Sequence, residues 1–210
     1  MRLHCIMYFD IGANLGMWTL ANINNTNKII TVEASPITYK NLVDRCKNVD
    51  KAILLNYAIC NNAGEDITFY HSNCHTLSTI NKDWLTSESS RFCNYSTFQE
   101  IKCKTMTIDT LIQQYGVPDL IKIDVEGGEY ECITSLTQKV DLLCFEWAAE
   151  VNDITFKCLD HLTTLGFKEF YLQSGDNYVF RPTEFYDLDK LKDMLNKTVV
   201  KVDWGMLWCK

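Results

Sequence analysis

The chain alternates between short apolar runs and longer segments in which apolar residues recur at helical spacing. This alternation is typical of βαβ units and predicts an α/β fold with a mainly parallel sheet and helices on both faces. The strands predicted for that sheet are Cys5–Phe9, Lys28–Val32, Ala52–Ala58, Leu120–Val125, Asp141–Glu146, Phe167–Leu172 and Gly205–Cys209. Tyr178–Arg181 is a candidate to pair beside the sixth of them.

Helices are predicted between these strands, except in one stretch. The segments with helical spacing are Gly16–Asn22, Thr38–Cys46, Ile108–Tyr115, Thr155–Leu165 and Asp187–Leu195. Between the third and fourth strands, residues 66–71 and 100–105 read as strands and the polar residues 72–94 as a loop. Because no repeat or linker interrupts the pattern, we predict a single domain over residues 1–210.

The most informative segment is the turn after the first strand, Asp10-Ile11-Gly12-Ala13-Asn14-Leu15-Gly16. Glycines in such a turn permit positive φ and close backbone approach to a ligand, and the following helix presents unpaired N–H groups. The spacing lacks the third in-phase glycine of the dinucleotide fingerprint, G-x-G-x-x-G. It looks like the first motif of S-adenosylmethionine-dependent methyltransferases.

In that interpretation, Gly12 and Gly16 bring the backbone close to the methionine part of the cofactor. The amide of Asn14 either bonds the amino-acid carboxylate or caps the helix, and Asp10 faces the ammonium group or a water bound to it. Glu33 ends the second strand about twenty residues after the glycines, where an acid accepts hydrogen bonds from ribose hydroxyls in nucleotide-binding folds.

Right-handed crossovers place the first and fourth strands side by side at the centre of the sheet. The acids at strand carboxyl ends, Asp10, Glu33, Asp124 and Glu146, are then expected on one rim. Alternation along the fourth strand puts Lys122 on the same face as Asp124, the nearest partner for a buried ammonium group. Asp124 is expected near the transferred methyl group, while Glu126 and Glu129 begin the next helix.

Four segments together carry a family resemblance: residues 10–16, Val32-Glu33-Ala34-Ser35-Pro36, Thr107-Ile108-Asp109-Thr110-Leu111 and Lys122-Ile123-Asp124-Val125-Glu126-Gly127-Gly128-Glu129. They resemble the FkbM family of S-adenosylmethionine-dependent methyltransferases over residues 6–170. The resemblance implies a seven-stranded sheet of order 3-2-1-4-5-7-6 with strand seven antiparallel. It also implies O-methylation of a sugar, glycan or glycosylated metabolite.

Family members usually carry helical sequence ahead of the first motif, and this chain has almost none. We therefore expect either a part of a larger multidomain protein or a homo-oligomer. The candidate cofactor-binding residues are Asp10, Gly12, Asn14, Gly16, Thr19, Glu33, Ala34, Ala58 and Asp124.

Methyl transfer to a weakly acidic hydroxyl is assisted by a general base. The candidate catalytic residues are Asp124, His71 and His75, in that order. The spacing of the two histidines fits no common zinc pattern, so we assign no metal site. A divalent ion held by the rim carboxylates stays open. Trp84 and Trp147 are candidate platforms for stacking a sugar, whereas the aromatic C-terminal segment, which contains Trp204 and Trp208, is expected to pack the sheet edge.

Charge and cysteine content narrow the function classes. The net charge of −7, from 20 basic and 27 acidic residues, argues against a nucleic acid as the substrate. Ten cysteines without C-x-x-C spacing, no signal peptide and no apolar span indicate reduced thiols in a cytoplasmic protein without a membrane span. The alternatives are a nicotinamide-dependent oxidoreductase and a cofactor-binding module without turnover. The incomplete glycine fingerprint disfavours the oxidoreductase.

Overall fold

A seven-stranded sheet forms the centre of the computed structural model, which describes residues 5–88, 90–93, 97–198 and 203–210. Its strands are β1 (Met7–Ile11), β2 (Lys28–Val32), β3 (Ala52–Leu55), β7 (Leu120–Ile123), β8 (Leu143–Ala148), β9 (Phe170–Ser174) and β10 (Trp204–Cys209). The order is β3-β2-β1-β7-β8-β10-β9. β10 runs antiparallel to both of its neighbours, β8 and β9, and the other pairings described in this sheet are parallel. The expected methyltransferase sheet is confirmed.

The chain also forms a small second sheet. It contains β4 (Ala58–Ile59), β5 (Asp66–Ser72) and β6 (Phe98–Met106) in the order β4-β6-β5. The predicted third strand is wrong at its end, because the chain changes sheets after Leu55. The side-chain amide of Asn56 donates to the carbonyls of Glu33 and Ala34 at 2.8 and 2.9 Å, which holds this crossover beside the end of β2.

Helices pack on both faces of the main sheet. They are α1 (Met17–Asn22), α2 (Pro36–Cys46), α3 (Lys82–Thr86), α4 (Ile108–Tyr115), α5 (Glu129–Ile133), α6 (Asn152–Thr164) and α7 (Leu188–Lys197). Side chains of Ser35, Thr107 and Asp187 accept hydrogen bonds from backbone N–H groups in the first turns of α2, α4 and α7. The central strand β1 is almost continuously buried because helices cover both of its faces.

Two further predictions need correction. The polar segment 72–94 contains a helical turn at His75–Leu77 and helix α3, because Trp84 and Leu85 anchor it in an apolar cluster. Residues 89 and 94 of that segment lie outside the described residues. The segment 178–181 forms no strand. It is a turn whose backbone is held by Asn22, as the Nδ2 group of Asn22 donates to the carbonyl of Tyr178 at 2.9 Å.

The tryptophans expected to stack on a sugar are core residues. Trp84 and Trp147 are 3% and 4% exposed, so neither offers a ring face to a ligand. All ten cysteines are free thiols, and seven of them are buried. In the part of the chain that the structure describes, we find no helix long and apolar enough to cross a membrane.

Candidate active site

A cavity of about 640 Å³ opens at the carboxyl ends of β1, β2, β7 and β8. Parallel α/β sheets bind ligands at this edge, where the strand order reverses. The glycine loop between β1 and α1 forms one wall. The segments that follow β7 and β9 form others, and residues 75–80 contribute from the small-sheet side.

The glycine loop has a conformation that only glycine adopts easily at two positions. Gly12 and Gly16 have φ of 74° and 77°, and Asn14 also lies in the left-handed region at 50°. A Cβ atom on Gly12 would lie 1.7 Å from the carbonyl oxygen of Asp124. The missing side chain therefore lets the loop contact the end of β7 directly, so the two strongest sequence motifs meet there.

Glu33 is fixed by the backbone around it. Its Oε2 accepts a hydrogen bond from the Asn14 N–H at 2.8 Å and its Oε1 accepts one from the Ser35 N–H at 2.9 Å. The residue is 7% exposed, and burial raises the pKa of its carboxyl group to about 7. The side-chain oxygen of Asn14 is buried and has no hydrogen-bond partner among the described residues.

Lys122 joins the two motifs. Its Nζ lies 3.3 Å from Asp10 Oδ1 and 3.3 Å from Asp124 Oδ2, and it donates to the carbonyl of Gly12 at 3.0 Å. The predicted partnership of Lys122 and Asp124 is confirmed. Burial lowers the pKa of Lys122, but the carboxylates of Asp124 and Asp10 raise it more strongly, so the net pKa lies above the ordinary value.

Three predicted cofactor residues lie behind the cavity wall. Asp10 and Thr19 are fully buried, and the hydroxyl of Thr19 donates to Asp10 Oδ2 at 2.7 Å. The expected contact of Asp10 with the cofactor's ammonium group, or with a water bound to it, stays a prediction, and within the chain its carboxylate pairs with Lys122. Gly16 packs against Leu42 instead of lining the cavity. Its role is the close approach of α1 to α2.

The remaining predicted residues are distributed over the site. Ala34, Ala58 and His75 line the cavity together with Gly12, Asn14, Glu33 and Asp124. His71 does not line it, since its Nδ1 is hydrogen-bonded to the hydroxyl of Ser35 at 2.9 Å. Burial lowers the pKa of the His71 imidazole. The structure thus leaves His75 as the exposed histidine of the pair at the cavity.

Asp124, Glu126 and Glu146 form an acid cluster opposite the glycine loop. One carboxylate oxygen of each lies within 4.8 Å of the others. Burial raises the pKa of Glu126 and Glu146, and the neighbouring carboxylates raise both further. Trp84 Nε1 donates to Glu126 Oε2 at 3.1 Å. These are oxygen ligands of the kind that Mg²⁺ and Ca²⁺ accept.

Sequence reasoning missed several cavity residues. Glu126 was assigned only to a helix start, although it lies two positions after Asp124. Asp176, Tyr178 and Trp204 also line the cavity. Trp204 was expected to pack the sheet edge with Trp208, but only Trp208 is buried, at 1% exposure against 38% for Trp204. No local sequence signal separates these two tryptophans.

Comparisons with known proteins agree with this fold. The family model of the methyltransferase FkbM domain matches residues 10–167. The fold is similar to precorrin-6y C5,15-methyltransferase from Geobacter metallireducens GS-15, with a TM-score of 0.51 and 11% identity over 100% of this chain and 82% of that one. It is also similar to precorrin 8w decarboxylase, the product of gene MT0146 of Methanobacterium thermoautotrophicum, with a TM-score of 0.50 and 9% identity over 98% and 82%. Such identities show the fold alone, and comparison with curated protein sequences gives no significant match.

The hydrogen-bond acceptors of the cavity fit a cationic nucleoside cofactor. The unpartnered Asn14 oxygen can accept from an ammonium group, and Glu33 retains lone pairs for hydroxyl donors. Carboxylates dominate the charged groups that line the cavity, which favours a sulfonium. Since the family model covers most of the 210 residues, the chain belongs to the FkbM methyltransferase family, whose cofactor is S-adenosylmethionine.

Proposed function

We propose that this protein transfers a methyl group from S-adenosylmethionine to a hydroxyl oxygen of a sugar, a glycan or a glycosylated metabolite. The observation that carries the proposal is the acid cluster of Asp124, Glu126 and Glu146 in the same cavity as the glycine loop. Bound S-adenosylmethionine supplies an electrophilic methyl group on its sulfonium. The protein's task is then to align the acceptor oxygen and to take up its proton.

On the cofactor side, Glu33 accepts hydrogen bonds from the ribose hydroxyls. The two backbone N–H groups that hold its carboxylate keep it oriented without a further side chain. The Asn14 side-chain oxygen accepts from the cofactor's ammonium group. Gly12 lets the loop contact the backbone of Asp124, so the cofactor residues and the acceptor residues keep a fixed distance from each other.

On the acceptor side, Asp124 orients the hydroxyl and Glu146 takes its proton. Asp124 is already paired with Lys122, which fixes the position of its carboxylate. Glu146 has a raised pKa and, among the described residues, no hydrogen-bond donor. A carboxylate with a raised pKa takes up a proton more readily than one with the ordinary pKa. His75 is the next candidate, because it lines the cavity and His71 is held by Ser35.

The free thiols support a location for this reaction. Seven buried and three less buried cysteines all stay reduced in the structure. We propose that the protein works in a reducing compartment, the cytoplasm.

Two measurements test the proposal in sequence. S-adenosylhomocysteine at one hundred times its Kd is expected to stabilise the protein by about 2.7 kcal/mol in thermal unfolding, whereas NAD gives no shift. Methyl transfer from labelled S-adenosylmethionine is then measured on a panel of mono- and oligosaccharides that includes deoxysugars.

Variants of two cavity acids test which residues take part in methyl transfer. Glu146→Gln is expected to lower the methylation rate by about 10²-fold or more while S-adenosylhomocysteine binding persists. Asp124→Asn is expected to lose transfer as well. Loss of cofactor binding in Asp124→Asn would assign Asp124 to the cofactor pocket, and binding without transfer to any sugar by the unmodified protein would indicate a binding module.

A further inference from the structure

Two aromatic side chains stand uncovered at the mouth of the cavity. Tyr178 and Trp204 are 37% and 38% exposed, and both line the cavity together with Asp176. Large aromatic rings usually contribute to cores or interfaces, where their area is removed from water. Their exposure at the edge of a ligand cavity is therefore informative.

The backbone beneath these side chains is firmly held. The N–H of Gly175 donates to the carbonyl of Trp204 at 2.8 Å. A Cβ atom on Gly205 would lie 2.0 Å from the carbonyl oxygen of Gln173, so glycine is needed for this close approach. The segment that carries Asp176 is thus fixed against the start of β10.

The other end of the same segment is held by Asn22, which is fully buried. Its Nδ2 donates to the carbonyl of Tyr178 at 2.9 Å, and Arg181 Nη2 donates to its Oδ1 at 2.6 Å. Only backbone atoms of Tyr178 contact Asn22, and the Tyr178 hydroxyl is hydrogen-bonded to the Asp176 carboxyl group. The phenol ring is thus held on an ordered backbone and stays 37% exposed.

Register places Trp204 on the acceptor side of the cavity. In the antiparallel pair of β8 and β10, Trp204 lies opposite Ala148 and Met206 lies opposite Glu146. Opposed residues and residues two apart share a face of a sheet. Trp204 and Glu146 therefore project from the same face at the same end of the strands.

The charges around these rings select against anions. Both basic residues of the cavity lining already have acidic partners: Lys122 pairs with Asp10 and Asp124, and Arg91 Nε lies 3.0 Å from Glu150 Oε1. Asp176 adds a carboxyl group whose pKa burial raises to about 6. An anionic acceptor would find both of these cations already engaged with acids, while neutral hydroxyls find acceptor oxygens.

We propose that Asp176, Tyr178 and Trp204 form the acceptor subsite, and that its ligand is a neutral or amino-bearing sugar ring and not a uronic acid or a nucleotide sugar. The aromatic rings pack against the apolar C–H face of the sugar, and Asp176 accepts from its hydroxyls or ammonium group. This inference rests on the proposed function, since the subsite would present its ligand to Glu146.

Binding and turnover are measured separately. Saturation-transfer NMR with S-adenosylhomocysteine present reports binding of methyl glycosides of neutral hexoses and 6-deoxyhexoses, glucosamine, glucuronic acid and uridine diphosphate glucose. Labelled methyl transfer gives kcat and KM for the same panel. The variants are Trp204→Leu and Tyr178→Leu, with Trp204→Phe to restore a ring.

The matched control is Tyr130→Leu, because Tyr130 is 37% exposed on α5 and does not line the cavity. Trp204→Leu and Tyr178→Leu are each expected to weaken sugar binding and raise KM about tenfold, with partial rescue by Trp204→Phe and no change in S-adenosylhomocysteine affinity. Tyr130→Leu is expected to match the unmodified protein.

The outcomes separate the two proposals. Sugar binding that depends on both rings, without any methyl transfer, would support the subsite and overturn the proposed function. Transfer with an unchanged KM in both leucine variants would overturn the subsite and leave the proposed function standing. Preferred binding of glucuronic acid or the nucleotide sugar would also overturn the subsite.

Discussion

Glu33, which is buried, and Glu146, which is partly buried, are two acids of one cavity with opposite surroundings. Glu33 receives backbone N–H donors on both oxygens, while Glu146 faces the carboxylates of Asp124 and Glu126. Burial raises the pKa of both, and only at Glu33 do hydrogen bonds from the chain counteract the rise. The half of the cavity that contains Glu33, to which we assign the cofactor in our proposal, thus has its acid held by the backbone. The acid-cluster half keeps carboxylates whose proton affinity is high, as general bases require.

The same contrast holds for Asp10 and Asp124, which share the ammonium group of Lys122. Asp10 is fully buried, whereas Asp124 lines the cavity. The charge of Asp10 inside the sheet is therefore balanced by Lys122, whereas Asp124, Glu126 and Glu146 lie where a ligand can reach them. This division teaches that burial alone does not separate structural acids from reactive ones.

Lys122→Met is expected to give the largest effect, a loss of unfolding free energy, because it removes the cation that pairs with Asp10 and Asp124. It leaves Asp10 buried without its cation, and loss of one partner of a buried pair costs about 3–5 kcal/mol of unfolding free energy. Urea unfolding measures the loss. The control is Lys192→Met, which removes an exposed pair with Asp160 and should cost at most about 1 kcal/mol. Equal losses in the two variants would contradict the buried role of Lys122.

Glu33→Gln and Glu146→Gln are expected to differ in their affinity for S-adenosylhomocysteine. Glutamine at 33 has one acceptor oxygen for two backbone donors and no charge for the ribose hydroxyls, so S-adenosylhomocysteine should bind about tenfold more weakly. Glu146→Gln should bind it as the unmodified protein does. Titration calorimetry makes the measurement, and equal affinities for the two variants would remove the distinction between the halves.

The pH dependence of cofactor binding gives the smallest effect. The Glu33 pKa of about 7 means that its carboxyl group ionises as the pH rises through neutrality. Ribose hydroxyls donate more strongly to the ionised form, so affinity for S-adenosylhomocysteine should rise about fivefold from pH 5 to 8. The rise should vanish in Glu33→Gln. A rise that persists in that variant would assign the titration to another acid of the cavity, such as Asp176.

Most of the fold could be predicted from the sequence because its signals are local. Helix α4 has its predicted bounds, since its apolar spacing lies within one segment, and the structure shows that Thr107 caps it. Helix α3 was missed because five residues in a polar stretch carry no period, and burial of Trp84 decides their conformation. Tertiary context also ended β3 early, through the bonds of Asn56 to the end of β2.

The glycine loop, the position of Glu33 at the end of β2 and the partnership of Lys122 with Asp124 could be predicted from the sequence, because turn chemistry and strand alternation act over a few residues. The tertiary structure decided which groups reach the cavity. Lys122 donates a hydrogen bond to the carbonyl of Gly12, which lies 110 positions away in the sequence. Trp204 is exposed because it begins β10 at the cavity, whereas Trp208 lies further along the strand and is buried. Such contacts depend on strand order and register, which local patterns do not encode.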